Sequence, residues 1–454
     1  MTSNRIDRRH FLRMTSLGIG AAGLIPRLGV APSLAAGTRA FADYRALVCV
    51  FLFGGNDSFN MVVPRSPAEH ALYAASRQTL SLGAEVLRPI VPATSDGAQY
   101  GLHPAMTSLG ELFDQGELAV VANVGTLLQP ASKQQILDGS ARLPPQLFSH
   151  NDQQDQWQYL AGATNLRTGW AGRVADALRA QLSNETLGLN LSLFGSNALQ
   201  SGVSGGAFAV GADGVPTLAA LTGGVPFAAQ RRQVFERLLA VNYSSPITRA
   251  LAEVHQRALA TADRVNSALA GAPAFQVAFP GSDLGKQLQE VARLISVKDT
   301  LNASRQIFLV GVGGFDTHDD HLKRQQALLA DFDASLSAFA AALRQIGRFG
   351  QVTTFTHSDF GRTLTSNGDG TDHGWGSHQL VMGGAVKGGD IHGRMPELTI
   401  GGPDDLDAGR MIPAQSVDQY VATLVRWFGL DEAQLDAVVP NLGAFASRDL
   451  GFMA

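Results

Sequence analysis

The chain has 454 residues, of which 45% are hydrophobic, so it can bury a substantial core, while its charged fraction of 16% lies below the roughly 25% usual in soluble domains. Its formal net charge of −4 provides no basic field that would recruit nucleic acid, and we expect no nucleic-acid partner. A single cysteine, Cys49, excludes an internal disulfide, so we expect the fold to rely on core packing or on a bound metal.

The N-terminal segment carries the features of an export signal. Paired arginines, Arg8 and Arg9, precede a mildly apolar, glycine-rich stretch, and small residues suited to cleavage follow near Ala35 or Ala36. This order of features resembles a twin-arginine signal, and the apolar run is too short for a comfortable membrane span. We therefore predict a signal peptide over 1–36, export through the twin-arginine translocase, and a periplasmic or extracellular location without a stable membrane span.

Continuous apolar runs alternate with helical patterns through the rest of the chain. The run "RALVCVFLFGGND" predicts a strand buried on both faces of a parallel sheet, and 118–124 predicts a second one. Helices are predicted over about 104–114, after Ser149, and after Ser416, where Gln419 would complete a capping box. The runs "RQIFLVGVGG" and "GQVTTFTHS" predict two further strands. The alternation indicates an α/β fold with a mostly parallel central sheet and helices on both faces.

Residues 172–300 differ in composition and hydrophobic pattern from the segments on either side. Helical patterns flank the stretch "LFGSNALQSGVSGGAFAVGADGVPTL", which is rich in small residues and predicts short strands and turns. We interpret this segment as an insertion or cap of helices and small strands on a single α/β domain that covers 37–454.

Polar side chains follow three of the predicted strands, at the point where each strand ends. Asp57 follows the first strand, Asp316 and His318 follow a later one, and His357 and Asp359 stand at the end of another. Because the carboxyl ends of parallel strands share one edge of a sheet, we expect these side chains to converge. Mixed imidazole and carboxylate ligands suit a divalent metal, for which Zn, Mn, Mg and Ca are the candidates.

The segment 355–378, "FTHSDFGRTLTSNGDGTDHGWGSH", concentrates histidines and aspartates in a polar, loop-like stretch. Asp372 and His373 are candidate metal ligands because a turn alone does not need the sequence "DHG", whereas Asp369 fits a glycine turn. Arg362 is a candidate to hold an anionic substrate by a two-pronged contact, and its alternative role is an ion pair with a neighbouring aspartate.

Each candidate also has an interpretation that leaves it outside a site. Asp57 fits a helix cap or a turn, His357 fits a solvated loop, and Ser149 fits the N-cap of the helix after it. Asp316 and His318 in "FDTH" are more polar than a turn requires, so for these two we favour a site. For the other three residues both interpretations stay open.

Six motifs, in this order, resemble a known family. They are "LFGGNDSFNMVVP", "SHNDQQDQW", "FDTH", "SDFGRT", "GTDHG" and "MGGAVKGG". Together they resemble the exported bacterial family of domain of unknown function 1501, over nearly all of the mature chain. That family in turn resembles a divergent branch of the alkaline phosphatase and sulfatase superfamily. The resemblance implies an alkaline-phosphatase-like α/β sheet, one or two metals, and a serine, threonine or modified cysteine nucleophile.

The resemblance also implies roles for particular residues. Ser149 lies in the region where those enzymes carry the nucleophile. The implied metal ligands are Asp57, Asp316, His318, Asp359 and His373. Phe360 stands where the superfamily usually has a histidine, so one ligand is missing unless His357 substitutes for it.

We therefore predict an exported, metal-dependent hydrolase of phosphate or sulfate esters with an anionic small molecule as its substrate. The alternative is a non-catalytic periplasmic or surface assembly protein that retains the fold, which the missing histidine at Phe360 favours. A third interpretation is a metal-dependent enzyme that acts on surface glycans, for which the segment 172–300 would shape a cap.

Overall fold

The described part of the chain folds around a nine-stranded sheet. The computed structural model describes residues 41–454 except 95, 161–166, 183–186, 213, 216–217 and 222–224. The predicted export signal at 1–36 lies outside the described residues, so export stays a prediction.

Fourteen strands and twelve α-helices make up the regular structure of the described residues. The strands are β1 Arg45–Leu52, β2 Val62–Pro64, β3 Arg88–Ile90, β4 Tyr100–Leu102, β5 Leu118–Gly125, β6 Asn190–Ser192, β7 Phe208–Ala209, β8 Arg305–Val312, β9 Val352–Ser358, β10 Arg362–Ser366, β11 Thr371–His373, β12 Ser377–Met382, β13 Ile391–His392 and β14 Gln415–Ser416. The helices are α1 Ser58–Met61, α2 Pro67–Arg77, α3 Thr107–Asp114, α4 Lys133–Leu137, α5 His150–Tyr159, α6 Trp170–Leu178, α7 Ala228–Leu239, α8 Pro246–Ala270, α9 Asp283–Ser296, α10 His321–Gln345, α11 Val417–Phe428 and α12 Glu432–Val438.

The central sheet is mostly parallel, as predicted. Its strand order is β13-β5-β12-β9-β1-β8-β6-β7, with β14 also paired to β5. Among its strands, β12 is antiparallel to both of its neighbours, β5 and β9, and the other pairings are parallel. The carboxyl ends of β1, β5, β8 and β9 therefore share one edge of the sheet, and β12 begins at that edge. A β10–β11 hairpin and a small β2-β4-β3 sheet lie outside it.

The central strand β1 explains why the apolar runs are continuous. Its side chains alternate between two hydrophobic clusters, one on each face of the sheet. The first cluster takes Ala46, Val48 and Val50, and the second takes Leu47, Cys49 and Phe51. Each residue in these two sets is buried, so both faces of β1 need apolar side chains.

Two helix starts show how local chemistry sets the boundaries. The capping box predicted before α11 is present, with Gln419 Oε1 accepting the Ser416 backbone N–H at 3.0 Å. Helix α3 begins at Thr107, later than the predicted 104. The preceding residues form a turn instead, in which the Met106 N–H donates to the His103 carbonyl oxygen at 2.9 Å.

The segment 172–300 contributes to the main body as well as to its periphery. Strands β6 and β7 extend the central sheet, and α9 packs into the core. Helix α7, in contrast, has no buried residue. The role of this segment as an insertion or cap stays a prediction. No helix among the described residues, including the 25-residue α8, is long and apolar enough to cross a membrane.

Candidate metal centre

Three histidines surround the carboxylate of Asp316 at the carboxyl edge of the sheet. Their Nε2 atoms lie 3.5 Å (His150), 2.9 Å (His318) and 3.3 Å (His373) from an oxygen of Asp316. Asp316 and His318 lie in the loop after β8, His373 ends β11, and His150 begins α5. The structure thus brings together four side chains from three separate segments of the chain.

The second nitrogen of each ring, Nδ1, faces an oxygen acceptor. The pairs are His150 with Asp359 Oδ2 at 2.7 Å, His373 with the Phe148 carbonyl oxygen at 2.7 Å, and His318 with Asp372 Oδ1 at 3.3 Å. Carbonyl and carboxylate oxygens only accept hydrogen bonds, so a proton on each Nδ1 would leave the Nε2 lone pair of that ring available to a metal ion. Metal-binding histidines are held in this way, with the second nitrogen donating to a carboxylate or a backbone carbonyl.

The spacing of the facing atoms fits a small divalent cation. His318 Nε2 and His373 Nε2 are 3.1 Å apart. Neighbouring ligands of a tetrahedral zinc ion, each about 2.0–2.1 Å from the metal, lie about 3.3 Å from one another. Ligand atoms of His150, Asp316 and His373 also lie within 4.8 Å of one another. The donor set and its spacing therefore fit a zinc-like ion.

Arg362 holds the Asp316 carboxylate from the buried side. Its Nη1 donates to Asp316 Oδ1 at 2.7 Å and to the Gly54 carbonyl oxygen at 3.2 Å, and its Nε donates to Thr371 Oγ1 at 3.0 Å. Burial raises the pKa of Asp316, but the hydrogen bond and charge of Arg362 outweigh it and leave that pKa below its ordinary value. The ion pair considered as the alternative role of Arg362 is present, and contact with an anionic substrate stays a prediction.

The ring of His373 is prepared to act as a neutral ligand. Burial lowers the pKa of His373, and the charges of His150 and Arg362 act in the same direction against the hydrogen bond to Phe148. His318 and Asp316 are the most exposed members of the cluster, whereas His373 and His150 are partly buried. The cluster is therefore open to solvent on the side of His318.

A glycine lets two strand-end loops approach each other behind the cluster. Gly54, in the loop after β1, has a positive φ of 113°, which favours glycine. A Cβ atom on Gly54 would lie 2.4 Å from the Asp316 backbone nitrogen. Glycine at position 54 is therefore required for the close approach of the loops after β1 and β8.

Asp57 takes part in a separate, buried network. Its carboxylate pairs with Arg77 and lies 2.8 Å from His321 Nε2. Burial raises the pKa of Asp57, but Arg77 and then His321 outweigh this effect, so the pKa lies far below its ordinary value. Asp57 Oδ1 also accepts the Phe59 N–H at 3.2 Å as the N-cap of α1. The helix-cap alternative is thus present, and the ion pairs of Asp57 lie outside the histidine cluster.

His357 is enclosed by the hydrophobic core. It is fully buried, neither ring nitrogen has a hydrogen-bond partner among the described residues, and its ring centroid lies 4.9 Å from that of Trp157. Burial lowers the pKa of His357 to about 3. The structure therefore does not bring His357 to the cluster. Phe360 instead packs its ring 4.7 Å from that of His373 and 4.9 Å from that of His150.

The remaining predicted residues flank the cluster. Asp359 and Asp372 each accept from a histidine ring rather than facing Asp316 directly. Ser149 is the N-cap residue of α5, and its hydroxyl donates to Asp152 Oδ2 at 2.6 Å. The Ser149 hydroxyl is therefore engaged by its own helix.

Three residues near the site were not predicted from the sequence. His150 follows Ser149 in the motif "SHND", which was singled out for its serine alone. Gln154 lies one helical turn further and donates to Asp359 Oδ2 at 2.8 Å, so the i, i+4 pair was the available signal. Arg410 Nε donates to the His373 carbonyl oxygen at 3.0 Å, which places a partly buried cation beside the cluster.

Solved structures with low similarity include a sulfatase and an alkaline phosphatase. The PsFucS1 sulfatase from Pseudoalteromonas sp. is 11% identical with a TM-score of 0.34, over 86% of this chain and 68% of that one. Ps i-CgsB in complex with k-i-k-neocarrahexaose is 9% identical with a TM-score of 0.31, over 88% and 77%. A mutant of the alkaline phosphatase PafA is 10% identical with a TM-score of 0.22, over 71% and 64%. TM-scores this low carry no argument about activity.

Comparison by sequence identifies the family. No curated protein matches the chain. The model of a family described as protein of unknown function, DUF1501, matches residues 44–439, which span the whole central sheet and the histidine cluster. The chain therefore belongs to the DUF1501 family, in agreement with the six motifs.

Proposed function

We propose that the chain is a metal-dependent hydrolase of phosphate or sulfate esters. The observation that supports the proposal is the convergence of three imidazole Nε2 atoms on one carboxylate, with each Nδ1 facing an acceptor. His150, Asp316 and His373 are the inner ligands, because their donor atoms lie within 4.8 Å of one another. His318, on the exposed side, closes the fourth position or leaves it to the substrate.

The residues around the ligands have defined tasks in this proposal. A bound divalent cation supplies Lewis acidity to an oxygen of the ester. Arg362 keeps Asp316 ionised and fixed, and Asp359 orients the ring of His150. Arg410 places its guanidinium beside the cluster, where it would favour an anionic ester over a neutral one, although it also pairs with Asp407 at 3.3 Å.

The ligand set differs from the set implied by the family resemblance. Asp57 and Asp359 are left out, because one is engaged by Arg77 and the other accepts from His150, and the possible substitute His357 lies in the core. Since the Ser149 hydroxyl donates to Asp152, we propose that water is the attacking group.

A second candidate function is a non-catalytic binding or assembly protein with a structural ion. Four protein donors, three imidazoles and one carboxylate, are the composition of a closed structural site. Both candidate functions require the bound metal. They differ in whether His318 stays a metal ligand, as in a structural site, or is replaced by the substrate, as in a catalytic site.

Metal content and ester hydrolysis, measured on the same full-length preparation, test the proposal. The design compares the unmodified protein with His373→Ala and with a control, His392→Ala, whose ring bonds to the Lys387 carbonyl oxygen away from the cluster. We expect near-stoichiometric zinc or manganese, loss of that metal only in His373→Ala, and chelator-sensitive hydrolysis of p-nitrophenyl phosphate or sulfate. Metal without hydrolysis of either ester favours the second candidate, and a folded protein that takes up no metal overturns both.

A further inference from the structure

A small cavity lies between α5, α11 and the loop that follows β5. Its volume is about 10 Å³, and apolar side chains that include Leu128, Leu160 and Val417 line part of it. Gln156 of α5 and Asp418 of α11 also line it, and only 6% and 2% of their surfaces are exposed. Two buried polar side chains from different helices therefore border the same small space.

One oxygen of Gln156 has no hydrogen-bond partner among the described residues. Gln156 Nε2 donates to the Pro145 carbonyl oxygen at 2.8 Å, and this contact fixes the orientation of the amide group, because a carbonyl oxygen only accepts. The amide oxygen, Oε1, is buried and accepts from no described donor. Buried acceptors are nearly always satisfied, so we expect a donor at Gln156 Oε1.

The Asp418 carboxyl group has one oxygen with a partner and one without. Its Oδ2 accepts the hydroxyl of Ser416 at 3.0 Å, and the Asp418 backbone N–H donates to the same hydroxyl oxygen at 3.1 Å. Its Oδ1 is buried and has no partner in the described part of the chain. One acceptor on α5 and one on α11 thus line the cavity and lack a protein donor.

The buried carboxyl group has no strong preference for either protonation state near neutral pH. Burial raises the pKa of Asp418 to about 7, against the hydrogen bonds from Ser416 and the backbone and the charge of Arg173. Arg173 is itself engaged by the backbone, since its Nε donates to the Val438 carbonyl oxygen at 2.9 Å and its Nη2 to that of Tyr159 at 2.7 Å. A partner at Asp418 Oδ1 must therefore suit both forms of the carboxyl group.

A water molecule meets this requirement. It donates to Asp418 Oδ1 and to Gln156 Oε1 when the carboxyl group is ionised, and it accepts from Oδ1 and donates to Oε1 when the group is protonated. A buried water needs a cavity of about this size and two to four polar partners. A calcium or magnesium ion would need about six oxygen ligands, and the cavity offers two free ones.

We propose that one water molecule occupies this cavity and bridges Asp418 Oδ1 to Gln156 Oε1. Gln156 lies on α5, the helix that begins with His150, and Asp418 lies in the first turn of α11. The water therefore joins the helix that carries His150 to the start of α11. This inference rests on the cavity and its two oxygens and is independent of the proposed metal-dependent activity.

Crystal structures of the full chain, at a resolution that shows ordered waters, test the inference together with chemical denaturation of variants. Gln156→Leu and Asp418→Leu each remove one of the two oxygens and leave the other, and the double variant removes both. In Asp418→Leu the Ser416 hydroxyl keeps the Leu127 carbonyl oxygen, at 3.3 Å, as an acceptor. The control is Leu128→Met, which changes an apolar lining residue at nearly constant volume.

We expect one ordered water within about 2.5–3.0 Å of both oxygens in the unmodified protein and in Leu128→Met, and none in the double variant. Each single variant should lower the folding equilibrium constant at least about fivefold, because it leaves one buried acceptor with fewer donors. The loss in the double variant should be at least about fivefold smaller than the product of the two single losses, because no acceptor then remains in the cavity.

Four results would overturn the inference. The first is a cavity without ordered water in a structure that shows other buried waters. The second is a direct contact between Asp418 Oδ1 and Gln156 Oε1, because a shared proton would then replace the water. The third is density in the cavity that exchanges with a heavier monovalent cation. The fourth is a pair of single losses that simply multiply in the double variant, because the two oxygens would then have no common partner.

Discussion

The Nδ1 atom of His373 lies 2.7 Å from the carbonyl oxygen of Phe148, and this contact fixes which nitrogen of the ring faces Asp316. Phe148 has a positive φ of 73°, a conformation that is unfavourable for a bulky residue and costs on the order of 1–3 kcal/mol. The turn before α5 therefore contains an unfavourable backbone conformation. The same turn points the Phe148 carbonyl oxygen at His373 and places His150 in the cluster.

The outer carboxylate on His150 should control metal affinity without being a ligand. In Asp359→Asn the side chain keeps its shape but loses the charge that orients the ring of His150. We expect metal affinity to fall roughly 10–100-fold, measured by competition with a chromophoric chelator. The control is Asp114→Asn, which alters an exposed ion pair with Arg88. Unchanged affinity in Asp359→Asn would contradict the proposed orienting role.

The buried Asp57 network should matter for stability and not for metal binding. Asp57→Ala leaves the fully buried guanidinium of Arg77 without its carboxylate. We expect the free energy of unfolding to fall by about 3–5 kcal/mol, measured by chemical denaturation. The exposed pair of Arg232 with Asp263 provides the control, and Asp263→Ala should cost less than about 1 kcal/mol.

Metal content distinguishes a structural role of Asp57 in its buried network from a role as a metal ligand. The folded fraction of Asp57→Ala should retain the metal of the unmodified protein. Thr317 Oγ1 lies 2.6 Å from His321 Nδ1, so the network also supports the loop between Asp316 and His318. Complete loss of metal from a variant that stays folded would show that Asp57 acts as a ligand after all.

The sheet was predictable because burial on both faces leaves a direct trace in the sequence. Strands β1 and β5 coincide with apolar runs that have no polar alternation, and the capping box at Ser416 marks the start of α11. The antiparallel direction of β12 left no such trace, because a short buried strand has the same composition in either orientation.

The site was predictable only where strand ends reveal it. Asp316, His318 and His373 were candidates because polar residues follow buried strands at one edge. His150 was missed because "SHND" has the composition of a helix start. His357 was also a candidate, but it lies two residues after Phe355 on β9. Side chains two residues apart face the same side of a strand, so His357 points into the same hydrophobic cluster as Phe355.

Acid should destabilise the protein through His357. Its pKa in the unfolded chain is near 6.5, and burial lowers it to about 3 in the folded chain. Between these values the unfolded state binds a proton that the folded state excludes. The stabilisation is therefore complete above about pH 6.5 and is lost progressively as pH falls towards 3. Replacement by Phe, which suits the aromatic surroundings, should remove this contribution.

The measurement is the free energy of unfolding of the unmodified protein and of His357→Phe at about pH 7.5 and 5. The lower pH lies about 1.5 units below the pKa of histidine in the unfolded chain, a difference that corresponds to about 2 kcal/mol. Between the two pH values the unmodified protein should therefore lose about 2 kcal/mol more of its free energy of unfolding than the variant loses. Burial also lowers the pKa of His378 to about 3 and that of His103 to about 4, so both proteins keep some acid sensitivity. Equal acid sensitivity of the two proteins would show that His357 is not held neutral.

The role of Ser149 separates water from a serine nucleophile in the proposed hydrolysis. Its hydroxyl donates to Asp152 and makes no capping bond to the α5 backbone. Ser149→Ala should therefore change the free energy of unfolding by less than about 1 kcal/mol, at the low end for N-cap positions.

If water attacks, kcat should fall less than about tenfold, whereas loss of a covalent nucleophile would lower it by several orders of magnitude. Steady-state hydrolysis of the better p-nitrophenyl ester decides the case, with His373→Ala as the inactive reference. A fall in kcat as large as that of His373→Ala, with metal retained, would make Ser149 the nucleophile and would require its hydroxyl to leave Asp152 when the substrate binds.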